Sequence, residues 1–481
     1  MSPRKQPNSL FNLCVRRSIY SINSACYYIE KFYPENKCAE WEREALTLKR
    51  FMMSTLPSRL FEVLCSDRAT QQYRGDPRVQ LMVLTHPNMT VFRKCDVDNS
   101  IPHHFWLDML SNFNHLKVLD LKFICSDEIL EVIGANCTLL EDINIVSRVD
   151  ICKSLFNASV LIRNVSDEGL VSVAKLQHLK VLTMDPPRNE RVHKIGRCVS
   201  QAGIIRLICK LPELHELKID TCDIGTTLIS SKIEIGPLSL QKINCHFASG
   251  VGIKKLLKIC PYLKELSVTH LSENDKDAIM NEITVSDAYL TRLDLSFFTF
   301  THAVHEMLVV KGQFLTHFSL WEIELSLTFD AILCIGSSCP NLNILCIGTQ
   351  SPSLSAPRFY TKEEPIFTKL QMLTLGNGNF CIDSLLSFFV SCTDDLQKLV
   401  LKYQSRENID ESLLRLLKKG CFRNINYLWF DCTLEVSKEV AMEIIKVCEH
   451  LQTFTMDFGV NMSEFQKHIA DNNLDLRIGS Y

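Results

Sequence analysis

No charge of one sign dominates this 481-residue chain. Its 52 Lys and Arg stand against 55 Asp and Glu, a formal net charge of −3. That balance excludes the global basic field by which proteins gather nucleic acid or anionic membrane. No stretch reaches the roughly 20 apolar residues of a membrane-spanning helix. The N-terminus, Met1-Ser2-Pro3-Arg4-Lys5-Gln6-Pro7, lacks the unbroken apolar segment of a secretory signal, so a cytoplasmic or nuclear location is expected. Sequons at Asn88, Asn136, Asn157, Asn164 and Asn461 then read as chance matches, since glycosylation requires the secretory pathway. There is no G-x-x-x-x-G-K-[ST] phosphate cradle, and Gly376-Asn377-Gly378-Asn379 reads as a turn at a strand end. The chain holds 21 cysteines yet no C-x-x-C pair, and the rings of adjacent His103 and His104 do not converge readily on one ion. Neither a metal nor a cofactor is expected. Acid pairs such as Asp127-Glu128 and Asp394-Asp395 fall where strands give way to helices or loops, and helix starts favour acids. The chain reads as a non-enzyme.

What the chain does have is repetition. Leu263, Leu266 and Val268 of Cys260-Pro261-Tyr262-Leu263-Lys264-Glu265-Leu266-Ser267-Val268 fit the phrase L-x-x-L-x-L, Val standing for the last Leu, with a Cys three residues before the first Leu. The phrase returns as Cys339…Leu342…Leu345…Ile347 and as Cys448…Leu451…Phe454…Met456. Alternate residues of a strand share one face, so the L-x-L end fits a short strand that buries its apolar side. The first Leu of each phrase falls at Leu116, Leu140, Leu179, Leu214, Leu240, Leu263, Leu290, Leu315, Leu342, Leu370, Leu396, Ile425 and Leu451, most of them about 26 residues apart. Between phrases lie helical patterns such as Ile204–Ile208 and Ser412–Leu417. One such unit has no core of its own, whereas stacked copies bury a continuous one. A hydrophobic content of 46% with 22% charged residues suits a folded chain, and a stack can reach this length by adding copies.

The repeat resembles the cysteine-containing leucine-rich repeat of intracellular ubiquitin-ligase adaptors, over about the last three-quarters of the chain. That resemblance implies an α/β fold: a leucine-rich-repeat solenoid with a curved parallel sheet and outer helices, here residues 115–481 with a C-terminal cap. The recurrent Cys137, Cys260, Cys339 and Cys448 are expected as small, buried, unpaired thiols. Two insertions interrupt the period, one between Val146 and Leu179 and one around Asp185–Arg191. A third exposed loop is expected over Gly348–Pro357.

Residues 1–114 do not follow the repeat and read as an all-α head. Apolar spacing predicts helices over Ser9–Lys31, Cys38–Met53, from Leu56 through Leu64, and around Pro77–Leu84. Ser9-Leu10-Phe11-Asn12-Leu13-Cys14 resembles the elongin-binding box of ubiquitin-ligase substrate receptors: a small residue, Leu, three residues, then Cys. In that family the Leu and Cys of a helix enter a groove on elongin C, so Leu10, Leu13 and Cys14 are the implied elongin-binding residues. The family's aliphatic residue four places after the Cys is Ser18 here, with Ile19 one place later. Leu56-Pro57-x-x-Leu60-x-x-x-Leu64 looks like the cullin-2 box, which implies cullin contacts at Leu56, Pro57, Leu60 and Leu64. The order of the two boxes before the repeats is similar to receptors of the von Hippel–Lindau-box class, including PRAME-like proteins. The implied function is substrate recognition for a cullin-RING E3 ubiquitin ligase, with elongin B/C and cullin-2 as partners.

The same Leu-Pro also opens an F-box, whose proteins carry this repeat subtype. An F-box continues into an apolar run ending near a Trp, whereas this chain has no Trp between Leu64 and Trp106. A non-ligase scaffold or inhibitor of the ribonuclease-inhibitor type is the other alternative. Residues flanking L-x-L are expected on the face away from the helices. Early repeats place polar residues there: Asp120, Asn144, Glu216, Lys218, Asp220, Lys242 and Asn244. Later ones place Trp321, Ile344, Met372, Val400, Tyr427 and Trp429, the expected substrate-binding patch for a protein target.

Overall fold

The computed structural model describes residues 10–479 except 33–37, 67–72, 74, 94–100, 123, 147–164, 185–198, 220–223, 231–234, 247, 270–274, 324–326, 350–365, 377–384, 387, 390–392, 394, 403–406, 421, 432–433, 457–461, 473 and 475. Residues 147–164 of the first predicted insertion, the whole of the second, and the loop beyond Thr349 lie outside the described residues.

The chain divides into two compact units, Asn8–Cys222 with Thr227–Asn244, and Asp223–Thr226 with Cys245–Tyr481. In the N-terminal unit four helices come first: α1 (Leu10–Phe32), α2 (Cys38–Thr55), α3 (Ser58–Ser66) and α4 (Pro77–Leu84). They match the helices expected from the sequence. α1 turns a stripe of Val15, Ile19, Ile22 and Cys26 inward, at the three- and four-residue spacing of one helical face. Trp41, Ala45 and Met52 do the same on α2, and Phe61, Leu64 and Cys65 on α3. α4 starts with Asp76 accepting from the Arg78 backbone N–H and with Pro77 in its first turn, where a missing N–H costs nothing.

Strands β1 (Val91–Arg93), β2 (Val118–Asp120), β3 (Asp142–Asn144), β4 (Val181–Met184) and β5 (Glu216–Ile219) follow, and β6 (Lys242–His246) begins there. Each pairs in parallel with its sequence neighbour, in one unbroken register. The sheet therefore starts at Val91, inside the range 1–114 read as the head.

The C-terminal unit repeats the scheme with β7 (Glu265–Thr269), β8 (Arg292–Ser296), β9 (His317–Ile323), β10 (Ile344–Thr349), β11 (Met372–Gly376) and β12 (Lys398–Lys402). The sheet continues through β14 (Tyr427–Phe430), β16 (Thr453–Thr455) and β17 (Arg477–Gly479), again in parallel. Two-residue strands β13 (Glu407–Asn408) and β15 (Leu434–Glu435) pair separately. The helix Met462–Asp471 and β17 form the C-terminal cap. All thirteen anchor residues from Leu116 to Leu451 are buried. These are leucine-rich repeats.

The Cys-x-x-Leu spacing has a backbone cause. Cys137, Cys260, Cys339 and Cys448 each cap a helix, donating their backbone N–H to the carbonyls of Ile133, Leu256, Ile335 and Ile444. Each Cys carbonyl then accepts from the N–H of the anchor Leu three residues on, at 3.1–3.2 Å. Leu176, Leu211, Gly312, Phe367 and Phe422 hold the same turn in other repeats, so the turn is general and the thiol is one of several groups that fill the space beneath it. The four cysteines are thiols rather than disulfides and are 0% exposed. Burial pushes the thiol of Cys137 up to about 11 and those of Cys260, Cys339 and Cys448 up to about 12.

Consecutive helices are tied by carboxylates. Ser126 caps its own helix, while Asp127 in the first turn reaches the next repeat and accepts from the Ser166 N–H at 2.8 Å and the Ser166 hydroxyl at 2.6 Å. Asp167 accepts from Ser200 in the same way, at 2.7 and 2.6 Å, and Asp410 from the Ser437 N–H at 2.9 Å. Asp127 thus does more than favour its own helix start. A Cβ at Gly169 or Gly203 would collide with the carboxylate of Asp127 or Asp167, so a glycine three places after the capping Ser leaves room for the tie.

Candidate functional site

On the head, the two sequence boxes fall at helix starts. Leu10 opens α1, but only the backbone of Leu10 and Leu13 is described. Cys14 is exposed, a quarter turn away from the buried Val15–Ile19–Ile22–Cys26 stripe. Ile19 belongs to that stripe, so the one-place shift in the motif puts its aliphatic residue into the head core, and half-buried Ser18 stands at the family position. A further feature of α1 was not among the expected site residues. Tyr28 and Phe32 lie on the same flank of α1 as Cys14, 58% and 71% exposed, with ring centroids 6.3 Å apart and planes nearly parallel. Tyr20 and Tyr27 are exposed on the other flank, with the Arg17 guanidinium 5.9 Å over the Tyr20 ring. Helical spacing of aromatics on a non-core face was the available signal.

The far end of α1 is anchored. Glu30 accepts from the Tyr73 hydroxyl and from the Asp76 N–H, and burial raises its carboxyl above the usual range despite both bonds. Gln80 donates to Asn23 at 2.8 Å, and Arg78 lies 5.4 Å over the Trp41 ring while pairing with Asp76. In the second box Pro57 is exposed, Leu56 and Leu60 are half-buried, and Leu64 is 0% exposed as part of the core. Leu64 therefore offers no surface to a partner in this structure. From the same α3, Glu62 accepts from the Thr90 hydroxyl at 2.9 Å and from the N–H groups of Thr90 and Val91, which fastens the helix to the leading edge of the sheet.

The face of the sheet away from the helices differs between the units. In the N-terminal unit it is charged. Asp120, Asn144, Glu216, Lys218, Lys242 and Asn244 are half-buried there, as expected; Asp220 lies outside the described residues. Arg93 pairs with Asp142 at 3.4 Å, and Glu216 with Lys242 at 3.0 Å and Lys218 at 3.2 Å. Burial tends to raise the Glu216 carboxyl, but the two ammonium groups outweigh it and hold it low.

In the C-terminal unit aromatic and apolar side chains gather on this face over β9 to β14. Trp321, Ile344, Met372, Tyr427 and Trp429 are half-buried, while Val400, flanked in register by Thr374 and Trp429, is buried. Ser319, Cys346 and Thr374 in the same middle row are also buried. Trp321, Lys402 and Trp429 come together. The ammonium of Lys402 stands 5.4 Å from the Trp321 ring centre and 4.9 Å from that of Trp429. Such contacts contribute roughly 0.5–2 kcal/mol each, depending on exposure. Trp321 is on β9 and Lys402 on β12, so the indole must lie across two intervening strands. It can do so because Gly348 and Gly376 stand there in register: a Cβ on either would strike the indole, at 2.8 Å from Cζ3 for Gly376. On the neighbouring strands Arg292 binds Asp294 at 2.6 Å, with His317 3.4 Å from the same carboxylate.

Among the described residues no group of three or more His, Cys, Asp or Glu side chains is placed to hold a metal, and no helix is long and apolar enough to cross a membrane. No protein-family model matches the sequence, and no curated protein matches it. Among solved structures, a yeast complex of Rad7 and Elc1 is similar over 94% of this chain and 94% of that chain, at 14% identity and a TM-score of 0.43. A TLR13–ssRNA13 complex is similar over 81% of this chain and 60% of that chain, at 14% identity and 0.33. The Leptospira interrogans leucine-rich-repeat protein LIC12759 is similar over 77% and 91%, at 14% identity and 0.28. Likenesses at these scores carry neither family nor function, and the repeat fold rests on the buried anchors and the strand register.

Proposed function

We propose that this chain is the substrate-recognition subunit of a cullin-RING E3 ubiquitin ligase. It binds elongin B/C through Leu10, Leu13 and Cys14, and cullin-2 through Leu56, Pro57 and Leu60, with Leu64 supporting that helix from within. The target protein is held on the aromatic face of the C-terminal unit, at Trp321, Ile344, Met372, Tyr427 and Trp429. The observation that carries the reading is the division of labour on α1. Its core stripe holds the head together, while Cys14 at its start and the Tyr28–Phe32 flank stay outside the core. A helix so divided is fit to lay its second face in a groove.

The chain performs no bond chemistry under this reading. It raises the effective concentration of a substrate lysine near a ubiquitin-charged enzyme, in the cytoplasm or nucleus. Co-expression with elongin B and elongin C tests it. Wild type is expected to co-purify with both, and the pair Leu10→Ser with Cys14→Phe to lose them with its thermal midpoint unchanged, since an apolar anchor in a groove contributes about 2 kcal/mol or more. Recovery of an F-box adaptor in place of elongin would contradict the reading.

A further inference from the structure

We infer that the Trp321–Lys402–Trp429 cluster is a recognition site for an acidic residue within an extended peptide segment of the target, with an apolar neighbour of that residue seated against the indoles. This deepens the proposed function and rests on its placing of the target on the sheet face.

The ammonium of Lys402 is fixed between two rings, and among the described residues it has neither a hydrogen-bond acceptor nor an ion-pair partner. Asp431, the carboxylate nearest in register, follows β14 directly, and no ion pair joins it to Lys402. A flexible lysine on a wet surface has no reason to be held in this way. Here the indoles restrict its rotamers in advance, so a carboxylate that arrives meets N–H donors whose ordering has already been met. Two apolar plates beside the ammonium also lower the local dielectric, which strengthens a charge-assisted bond.

Charge along the strands points the same way. From β9 to β17 the described strand positions on this face carry the cations Lys398, Lys402 and Arg477, while Asp431 is the one carboxylate at their margin. His317 faces Asp294 instead. A second cation from a ligand, such as a lysine seeking an aromatic cage, would find the space between the indoles already taken by Lys402. The glycine floor argues that the arrangement is built. Gly348 and Gly376 are the residues that let Trp321 lie flat and reach Lys402, about 14 Å away across three strand spacings.

The test is a selection of a random dodecapeptide phage library on the immobilised full-length chain, with selection on Lys402→Met in parallel. The Met variant keeps the apolar stem and removes only the charge. Wild type is expected to enrich peptides bearing Asp or Glu beside an apolar residue, and Lys402→Met to lose that enrichment. A fluorescein-labelled peptide from the wild-type pool should then bind at least about tenfold more weakly after Glu→Gln in the peptide or Lys402→Met in the protein. The two changes together should cost no more than one alone, because they remove the same bond. Lys402→Gln repeats the measurement if the Met variant melts early. Enrichment without acids, enrichment of basic peptides, no enrichment, or equal affinity for the Met variant would each overturn the inference. The assay contains no ligase component, so a failure to bind elongin leaves its result intact, and an absent acidic preference with elongin bound sinks this inference alone.

Discussion

Replacing glycine by alanine near the start of a helix normally stabilises it, by up to about 1 kcal/mol. At Gly203 the reverse is expected. The added Cβ would displace the Asp167 carboxylate, which accepts from the Ser200 N–H at 2.7 Å and the Ser200 hydroxyl at 2.6 Å. Bonds to a charged group contribute roughly 1.5–3 kcal/mol each, and the Asp167 side chain is 31% exposed, so the low end applies and losing the pair costs about 3 kcal/mol. Subtracting the helix gain leaves Gly203→Ala destabilising by about 2 kcal/mol. In an Asp167→Ala background nothing is left to displace, and the same substitution should stabilise by up to about 1 kcal/mol. Urea unfolding followed by circular dichroism gives the cycle, and hydrogen exchange at the Ser200 amide locates it, which matters in a repeat array that need not unfold in one step. A change of equal sign in both backgrounds would refute the tie as a source of stability between repeats.

Other expectations follow from the same packing. Cys260, Cys339 and Cys448 should resist iodoacetamide at pH 8 while exposed Cys14 is labelled; equal labelling by mass spectrometry would show the repeat thiols to be open. Because burial raises these thiols, the unfolded chain gives up protons that the folded one keeps. Their contribution is full below the ordinary thiol range and is lost as pH climbs from there toward about 12, so the urea midpoint should fall over that window. Leu64→Ala should cost about 2–5 kcal/mol, as for any buried leucine. Leu56→Ala with Pro57→Ala should cost well under that and remove cullin-2 while keeping elongin; joint loss of both partners would mean the segment only holds the head together. Gly376→Ala should unseat Trp321 and change its fluorescence, and an unchanged emission spectrum would contradict the flat packing of the ring.

The anchors and helices were legible because each repeat spends its apolar residues at fixed places, and Leu116 through Leu451 all proved buried. β1 was missed because Met89 and Phe92 replace the leucines of the phrase there, yet both are buried and the strand pairs in register with β2. The role of the recurrent cysteine was half legible. Its burial could be read from its recurrence, but its part in a helix-ending turn is a backbone property that Leu176, Gly312 and Phe422 serve equally. On the sheet face, alternation placed Trp321 and Trp429 correctly but could not foresee Lys402. That contact depends on glycines paired on two adjacent strands and on the register shift between Ile347 and Thr349, which no single repeat encodes. Val400 was expected on the open face and is covered by its cross-strand neighbours, since alternation fixes direction and says nothing of how tall the adjacent side chains stand.

The most direct test of the ligase-receptor assignment is light scattering during size-exclusion chromatography of the purified full-length chain mixed with purified elongin B–elongin C, then with cullin-2 added. One copy of each component eluting together, with cullin-2 entering only when elongin is present, is the predicted result. Separate elution of the chain from elongin B–elongin C at micromolar concentrations, with the chain folded by circular dichroism, would contradict it.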